Sequence, residues 1–368
     1  MGPKIKVAII GLGFGKEFIP IYQAHPDSEV FAICQRNKDK LDSIGQEFGV
    51  ENRYTRWEDI LKIDEIDAVH IVTPILEHAD MTLKVLESGK HCACTVPMAT
   101  TIEDLKAIVS ARRKTGKVYM MMETAVYTRE FLYVKKLVEN GRLGKIQFLR
   151  GSHMQDMGLE GWPAYWLGFP PMWYGTHAIS PLLSLAGKPA ESVVCHGSGS
   201  ISKNLSKKYG SPFAVETATF KLKDSDVVAE ATRSLYETVR QYRESFDIYG
   251  DRLSFEWEQV QDGSPLLFEG GEKATRLEVP DTDELLPKEI KKYTLREQVQ
   301  DDRHVSFVQG AGHGGSHPHM VNEFLSAIIE GRDSEVDAEI AANWTGSGVC
   351  AHESALRDGE RIYIPVFG

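Results

Sequence analysis

The segment Lys6-Val-Ala-Ile-Ile10, followed by Gly11-Leu12-Gly13-Phe14-Gly15-Lys16, decides the fold of this chain. The apolar run predicts a buried strand, and the glycines predict a tight turn that opens a helix. In a dinucleotide-binding fold the first glycine makes the turn, and the second lets the backbone approach a pyrophosphate. The third position of the usual pattern is Lys16, with Gly15 one residue early. Candidate cofactor-binding residues here are Gly11, Gly13, Phe14 and Gly15.

The pattern of apolar and polar residues differs between the two halves of the chain. Up to about residue 120, apolar runs alternate with amphipathic stretches, which predicts helices over 39–48, 78–87 and 101–115 and a doubly wound parallel sheet. From about residue 145, polar and apolar residues alternate, as in Glu216-Thr-Ala-Thr-Phe-Lys-Leu222, which is typical of an antiparallel sheet with one open face. We therefore expect an α/β protein with an N-terminal Rossmann domain over 1–123. An α+β domain with a large, open, mostly antiparallel sheet should follow over 124–368, with a polar surface excursion at 260–305 and helices over 318–330 and 336–356.

The composition excludes several classes of protein. Among 368 residues, Lys and Arg number 42 and Asp and Glu 53, giving a net charge of −11, so nucleic acid is not an expected partner. No run approaches the ~18 apolar residues of a membrane span, and the N-terminus lacks a secretory pattern. Five scattered cysteines indicate reduced, mostly buried thiols. We expect a cytoplasmic protein without a membrane partner.

The end of the second predicted strand bears on the cofactor. In proteins that bind NAD, an acidic residue at this position usually hydrogen-bonds the free 2′-hydroxyl of the ribose. This chain has Gln35 and Arg36 there. Gln35 can bond a hydroxyl, and Arg36 could neutralise a 2′-phosphate or point to solvent. The sequence therefore predicts NAD or NADP and leaves the choice between them open.

Several further motifs occur in a characteristic order, from Val72-Thr73-Pro74 and His78 through Ser88-Gly89-Lys90-His91 and Cys94-Thr95-Val96-Pro97 to Glu330-Gly331-Arg332. Over nearly its whole length the chain resembles the Gfo/Idh/MocA family of NAD(P)-dependent oxidoreductases, which act mainly on sugars, inositols and their derivatives. The resemblance implies a substrate held between the nicotinamide and the second sheet. It implies cofactor contacts from Thr73, Pro74, His78, Thr95, Pro97 and Glu123. It also implies association into a homodimer or homotetramer through the open sheet face. We expect that face to be apolar, because an uncovered apolar face of this size would be unusual.

Two departures from the family pattern concern proton transfer. Thr95-Val96-Pro97 stands where relatives usually carry Glu-Lys-Pro, whose lysine contributes to catalysis. Trp173 stands where an Asp usually precedes the histidine that matches His177. Oxidation of an alcohol needs a base within hydrogen-bond reach, and His177 is the first candidate.

Three other residues are catalytic candidates, and each could instead have a purely structural role. Glu123 follows an apolar strand and could orient the base or contact the nicotinamide, or it could be a helix-start carboxylate. His153 and Asp156, expected just beyond a strand, could take over the proton relay or lie on the surface.

Most candidate substrate-binding residues fall in two groups, and Tyr127 and Arg129, which follow Glu123, are added to them. Residues 162–174 hold three of the six tryptophans and three prolines, which favours an aromatic substrate wall over a core strand. The three histidines of Gly312-His313-Gly-Gly-Ser-His317-Pro-His319 could bind a metal, but no carboxylate or cysteine lies among them, so bonding to sugar hydroxyls is favoured and no metal is expected. The substrate candidates are Tyr127, Arg129, Trp162, Tyr165, Trp166, Trp173, His313 and His317.

The sequence thus predicts an enzyme that oxidises a ring hydroxyl of a sugar, inositol or glycoside to a ketone, or the reverse, with His177 as general base. One alternative is a redox-neutral NAD-dependent glycosidase, although relatives of that kind keep a Glu where this chain has Thr95. Another is a non-enzymatic regulator that senses the dinucleotide, against which the histidine and the polar pocket argue.

Overall fold

The computed structural model of the chain describes residues 3–159, 162–238, 242–260, 263–270, 273–294 and 313–368. Its strands form two sheets, a parallel one in the first third of the chain and a mostly antiparallel one in the rest. The predicted fold class is confirmed. The domain boundary at residue 123 stays a prediction.

The first sheet is a Rossmann sheet. Its described strands are all parallel and follow the spatial order β3-β2-β1-β4-β5-β6. They are β1 Ile5–Ile10, β2 Ser28–Cys34, β3 Asn52–Tyr54, β4 Ala68–Ile71, β5 His91–Thr95 and β6 Tyr119–Met122. Helices cover both faces, which is why the central strands are apolar along their length. The order reverses between β1 and β4, and ligands bind at such a switch point, beyond the carboxyl ends of the strands.

The helices of this half have clear local causes. They are α1 Ile19–Ala24, α2 Lys38–Glu47, α3 Trp57–Ile60, α4 His78–Glu87, α5 Ile102–Thr115 and α6 Arg129–Glu139. The Thr101 side chain caps α5 by accepting from the Asp104 N–H at 3.1 Å, and Gly116 ends it in the left-handed region at φ 65°. The predicted helices over 39–48, 78–87 and 101–115 are confirmed to within a residue. Between the glycine-rich turn and α1, the chain forms a 3-10 turn over Gly15–Phe18.

The second sheet has the order β14-β13-β12-β11-β7-β10-β9-β8-β15. Its described strands are β7 Ile146–Gln155, β8 Ala190–Ser198, β9 Val215–Leu222, β10 Val228–Ser234, β11 Tyr242–Gly250, β12 Ser254–Glu256, β13 Leu266–Phe268, β14 Ala274–Arg276 and β15 Ile362–Tyr363. The pair β7 and β10 is parallel, and the other pairs are antiparallel. The excursion predicted at 260–305 contains β13 and β14, and its residues 261–262, 271–272 and 295–305 lie outside the described part.

The remaining helices are α7 Thr176–Ala186, α8 Lys203–Tyr209, α9 Gly315–Glu330 and α10 Ala338–Leu356. The last of them, α10, bonds to both halves of the chain. Its Thr345 hydroxyl accepts from the Met98 N–H at 3.3 Å beside the Rossmann sheet. Its Asn343 amide exchanges two hydrogen bonds with the backbone of Ala190 at the start of β8.

One face of the second sheet is covered and the other is open. On β9, Ala218 and Phe220 are buried on the covered side, whereas Thr219 and Lys221 are exposed on the other. On the open face Arg150 also lies 3.5 Å from Glu230. These strands therefore present polar and charged groups on the face that was expected to be apolar. Oligomerisation through this face stays a prediction, but an apolar surface no longer supports it.

Two further findings concern the cysteines and possible membrane spans. All five cysteines are buried and unpaired. In the described part of the chain, no helix is both long and apolar enough to cross a membrane.

Candidate active site

A cavity of about 1030 Å³ lies along the carboxyl ends of the Rossmann strands and is closed on its other side by the second sheet. From the Rossmann half it is lined by the turn after β1, the end of β2 and the segments after β4 and β5. From the second half come β7, the aromatic segment after it, the start of α7, and β11. A dinucleotide and a small substrate would meet in such a cleft.

The glycine-rich turn is shaped by close backbone packing. Gly11 has φ 92°, and a Cβ there would lie 2.1 Å from the carbonyl oxygen of Val72. Gly13 lines the cavity, and a Cβ there would meet no described atom within 4 Å, so its backbone faces open space. Gly15 packs on Ile9 and Val72 and lies outside the cavity. Phe14 lines the cavity.

The end of β2 forms the part of the cavity suited to an adenosine. Gln35, Arg36 and Lys40 line it. The Arg36 side chain is 80% exposed and lies 3.8 Å from the Glu77 carboxylate. The end of β2 offers amide and cationic groups, and the segment after β4 adds the carboxylate of Glu77.

The motifs after β4 and β5 are joined by a buried histidine. The ring nitrogens of His78 lie 2.7 Å from the Pro97 carbonyl oxygen and 2.9 Å from that of Thr73. Thr73, Pro74 and Thr95 line the cavity. His78 and Pro97 lie behind these residues and hold them in position.

The geometry of His177 is set by Glu123. His177 lies in the first turn of α7 and faces the cavity, and its Nδ1 is 2.5 Å from Oε1 of Glu123. The same oxygen accepts from the Ala125 N–H at 3.0 Å. Nδ1 therefore carries the proton, and in the neutral imidazole the lone pair of Nε2 points toward the cavity. That Nε2 lies 3.2 Å from the Tyr174 hydroxyl.

The two charges of this pair shift each other's pKa. Burial alone would lower the pKa of His177, but the carboxylates of Glu123 and Glu244 outweigh it and raise the pKa. Burial alone would raise the pKa of Glu123, but the charge and hydrogen bond of His177 outweigh it and lower the pKa. The pair is therefore an ion pair over part of the pH range.

A second group lies beside His177. His153 lies within β7, not beyond it as the sequence suggested, and is 1% exposed, which excludes a surface role. It pairs across the sheet with Glu244 of β11, whose Oε1 is 3.7 Å from Nε2 of His153 and 2.5 Å from the Tyr242 hydroxyl. Burial, with the charges of Arg233 and His177, holds the pKa of His153 well below its usual range.

The aromatic segment forms one wall of the cavity over two 3-10 turns, Ala164–Trp166 and Pro171–Tyr174. Trp162, Tyr165, Trp166 and Tyr174 line it. The rings of Tyr165 and Trp166 stack at 5.0 Å, and Tyr174 meets Trp166 edge-on at 4.8 Å. A wall of this kind suits the C–H faces of a sugar ring.

Several predicted site residues lie away from this cavity. Trp173 packs against Phe169 and His352, and Asp156 accepts the Gly158 N–H at 2.8 Å. The Tyr127 hydroxyl donates to Glu335. Arg129 donates to the Thr294 carbonyl and pairs with Asp281, because α6 directs it toward another surface.

The histidine-rich segment divides between two places. His313 lines the cavity, and its Nδ1 lies 3.2 Å from Nε2 of His317. His317 lies behind it, in the first turn of α9, against the rings of Phe14 and Phe18. Gly312 lies outside the described residues.

Sequence reasoning missed Glu244, Tyr242 and Tyr174. The alternation Tyr242-Arg-Glu244 signals that the two side chains share one face of a strand. Their position opposite His153 depends on the register of β11 against β7, which the sequence does not reveal.

Comparison with known proteins gives the following matches. Residues 5–123 match the description "Oxidoreductase family, NAD-binding Rossmann fold", and residues 131–256 match the "GFO/IDH/MocA C-terminal domain". A curated relative is Glycosyl hydrolase family 109 protein 1 of Phocaeicola vulgatus, 27% identical over 199 residues, which are 49% of this chain and 42% of that protein. A family 109 protein of Shewanella baltica is 31% identical over 205 residues, or 50% of this chain and 45% of its own length. The matches thus span less than half the length of these relatives.

Solved structures share the whole fold. Levoglucosan dehydrogenase in complex with NADH and levoglucosan superposes with a TM-score of 0.80 at 22% identity, covering 98% of this chain and all of that one. The myo-inositol 2-dehydrogenase of Lactobacillus plantarum gives a TM-score of 0.74 at 19% identity, with coverage of 98% and 100%. At these identities the likeness is one of fold.

Proposed function

Because the chain belongs to the Gfo/Idh/MocA family of oxidoreductases, with an NAD-binding Rossmann domain, we propose that it oxidises a ring hydroxyl of a sugar, inositol or glycoside to a ketone, or catalyses the reverse reaction. The observation that carries this proposal is the buried Glu123–His177 pair at the wall of the dinucleotide cavity. The solved dehydrogenases of similar fold, named for levoglucosan and myo-inositol, support a cyclic polyol as substrate.

In the proposed reaction the chain's residues handle one proton. The C–H bond of the carbinol carbon breaks, and its electron pair leaves as hydride to the oxidised nicotinamide. The hydroxyl proton passes to Nε2 of His177, so the products are a ketone, the reduced cofactor and one proton. Glu123 keeps Nδ1 protonated and offsets the positive charge that His177 acquires. Tyr174, 3.2 Å from Nε2, is placed to orient the same hydroxyl.

The substrate lies, in this proposal, between His177 and the aromatic wall. Trp162, Tyr165 and Trp166 supply apolar faces, and His313 supplies a ring nitrogen that can bond a hydroxyl. The residues of the wall that line the cavity are themselves uncharged, which favours a neutral carbohydrate over a sugar acid or phosphate.

We propose that both NAD and NADP are used. Gln35 can bond the ribose hydroxyls of NAD, and the exposed Arg36 and Lys40 can bind the extra phosphate of NADP. Glu77, which pairs with Arg36, lies where it could bond a free ribose hydroxyl.

A second candidate is favoured by the curated relatives, which are named glycosyl hydrolases. Such a reaction would oxidise, eliminate and reduce again with no net change in the cofactor. Thr95 stands where such relatives keep a glutamate, so the net dehydrogenase is the first choice.

One experiment tests both candidates. Purified protein is mixed with NAD, then NADP, across a panel of free sugars, inositols and glycosides, while the absorbance of reduced nicotinamide is followed. We expect a signal with a subset of the panel and its loss in His177→Ala. Silence throughout, with release of aglycone in the same wells, would replace the dehydrogenase by the glycosidase, and silence in both readouts would reject both.

A further inference from the structure

Three buried side chains from three elements converge at the substrate end of the cavity. His153 comes from β7, His177 from α7 and Glu244 from β11, and one ligand atom of each lies within 4.8 Å of the others. We propose that these three residues bind a divalent first-row transition-metal cation. The inference rests on the proposed oxidation of a substrate hydroxyl and replaces one part of it, the role of His177 as acceptor of the hydroxyl proton.

His153 provides the strongest observation. Its ring is 1% exposed and lines the cavity, yet neither Nδ1 nor Nε2 has a hydrogen-bond partner among the described residues. Burying a polar group without a partner costs free energy, and native proteins rarely leave one so. A cation that accepts the Nε2 lone pair would remove this cost.

His177 has the environment of a metal-bound histidine. A ligating imidazole usually gives its other N–H to a carboxylate, which fixes the tautomer and raises ligand basicity. Nδ1 of His177 lies 2.5 Å from Glu123, so its Nε2 is directed toward Glu244 at 3.9 Å. Ligand atoms around a tetrahedral ion are roughly 3.4 Å apart. The two Glu244 distances, 3.7 and 3.9 Å, need to shorten by a few tenths of an ångström, and the two histidines, whose ligand atoms lie within 4.8 Å of each other, must also approach.

The donor set decides the class of cation. Two imidazole nitrogens and one carboxylate with open positions suit Zn²⁺, Mn²⁺ or Fe²⁺ better than Mg²⁺ or Ca²⁺, which prefer oxygen. The described lining at this end of the cavity carries no lysine or arginine, and position 96 is a valine. Buried Arg233 contributes one positive charge behind the lining, where it donates to the His153 carbonyl at 3.1 Å. The carboxylates of Glu123 and Glu244 oppose that charge, so a cation would bind beside two carboxylates and one guanidinium.

The cation changes one step of the proposed reaction. With Nε2 of His177 acting as a ligand, the substrate hydroxyl binds an open position of the cation, which lowers the pKa of the hydroxyl. The proton then passes to water instead of His177, and hydride transfer to the nicotinamide is unchanged. Metal removal therefore separates the two accounts of the proton.

The binding test uses the full chain without a histidine tag, freed of metal by a chelator and titrated with Co²⁺ while its visible absorption is followed. Zn²⁺ competition and elemental analysis give the stoichiometry. We expect one ion per chain, about 100-fold weaker binding in His153→Gln and Glu244→Gln, and roughly 10- to 100-fold weaker binding in Glu123→Gln. The exposed His196→Gln is the matched control and should bind as the wild type does.

Two results of the titration overturn the cation site, and a third comes from activity after chelation. One is wild-type binding no tighter than about 1 mM, and the other is unchanged binding in both ligand variants. If a variant does not fold, the wild-type titration alone decides. Chelated protein that still forms reduced cofactor at the full rate also overturns it, while the proposed function stands. A tight ion without reduction of NAD or NADP on any carbohydrate supports the site and rejects the proposed function.

Discussion

Replacing Glu123 by glutamine removes one charge and keeps the shape of the buried pair. The amide oxygen can still accept from Nδ1 of His177 and from the Ala125 N–H, so the tautomer of His177 is retained. The pKa of His177 then loses one of the two carboxylates that raise it, while burial still lowers it and Glu244 still opposes burial, so the pKa falls. A base must be neutral to accept a proton, so kcat/KM for oxidation rises with pH through this pKa. We expect the acid limb of the profile to move to lower pH in Glu123→Gln.

The size of the shift follows from the contact. An opposite charge at hydrogen-bond distance shifts a pKa by about 1 to 3 units, and each unit corresponds to about 1.4 kcal/mol. Both groups are nearly inaccessible to solvent, so we expect the variant to lose about 1 to 4 kcal/mol of unfolding free energy. The raised pKa of His177 stabilises the fold below its unfolded pKa of about 6.5, and this is lost as pH rises through the folded value. The lowered pKa of Glu123 stabilises above about 4.5 and is lost at lower pH. The loss should therefore be largest between those two pH values.

The assay is a pH profile of kcat/KM together with urea unfolding at a pH of about 5.5 and of about 8.5. The matched control is Glu216→Gln. It removes the negative charge from a second buried pair, in which Oε1 of Glu216 lies 2.6 Å from Nδ1 of His352, outside the cavity. We expect the control to lose stability and to keep its acid limb. An acid limb that stays in place in Glu123→Gln, or that moves equally in the control, would refute the role of the pair.

Three other substitutions have defined outcomes. Gly11→Ala places a Cβ 2.1 Å from the Val72 carbonyl at a positive φ, so we expect weaker NADH binding by fluorescence titration and a lower melting temperature. A variant that binds NADH normally would contradict this account of the turn. Arg36→Ala should raise KM for NADP roughly tenfold, about 1.4 kcal/mol, and leave KM for NAD unchanged; equal effects on both would argue against a phosphate contact. Trp166→Ala removes a side chain that is 6% exposed, and urea unfolding should show a loss of about 3 to 5 kcal/mol.

Local and periodic signals explain why much of the fold could be predicted. The strand and glycine turn at residues 6–16 predict where a dinucleotide would bind, because strand, turn and helix are adjacent in the chain. Helix ends were readable for the same reason, as with Thr101 and Gly116 around α5. The open face of the second sheet was misjudged because alternation shows that two faces differ, but not that the outer one is polar.

The candidate site was predictable only in part, because its residues meet through tertiary pairing. His177 and Glu123 were found separately, and the 2.5 Å contact between them joins the end of a Rossmann strand to a helix of the second half. Glu244 escaped notice because its position opposite His153 is fixed by strand register. Arg129 and Trp173 have residue types that suit a sugar site, but their elements direct them elsewhere.

The double attachment of α10 has a consequence for how the chain is made. The helix packs beside the Rossmann sheet through Thr345 and holds the start of β8 through Asn343, yet it is synthesised long after β6, the last strand of that sheet. At roughly 5 to 20 residues per second, translation needs some tens of seconds to pass from β6 to the end of α10. During that time the nascent Rossmann half lacks part of its cover. Its maturation is therefore tied to the synthesis of α10, and chains terminated before that helix should be substrates for chaperones and proteases.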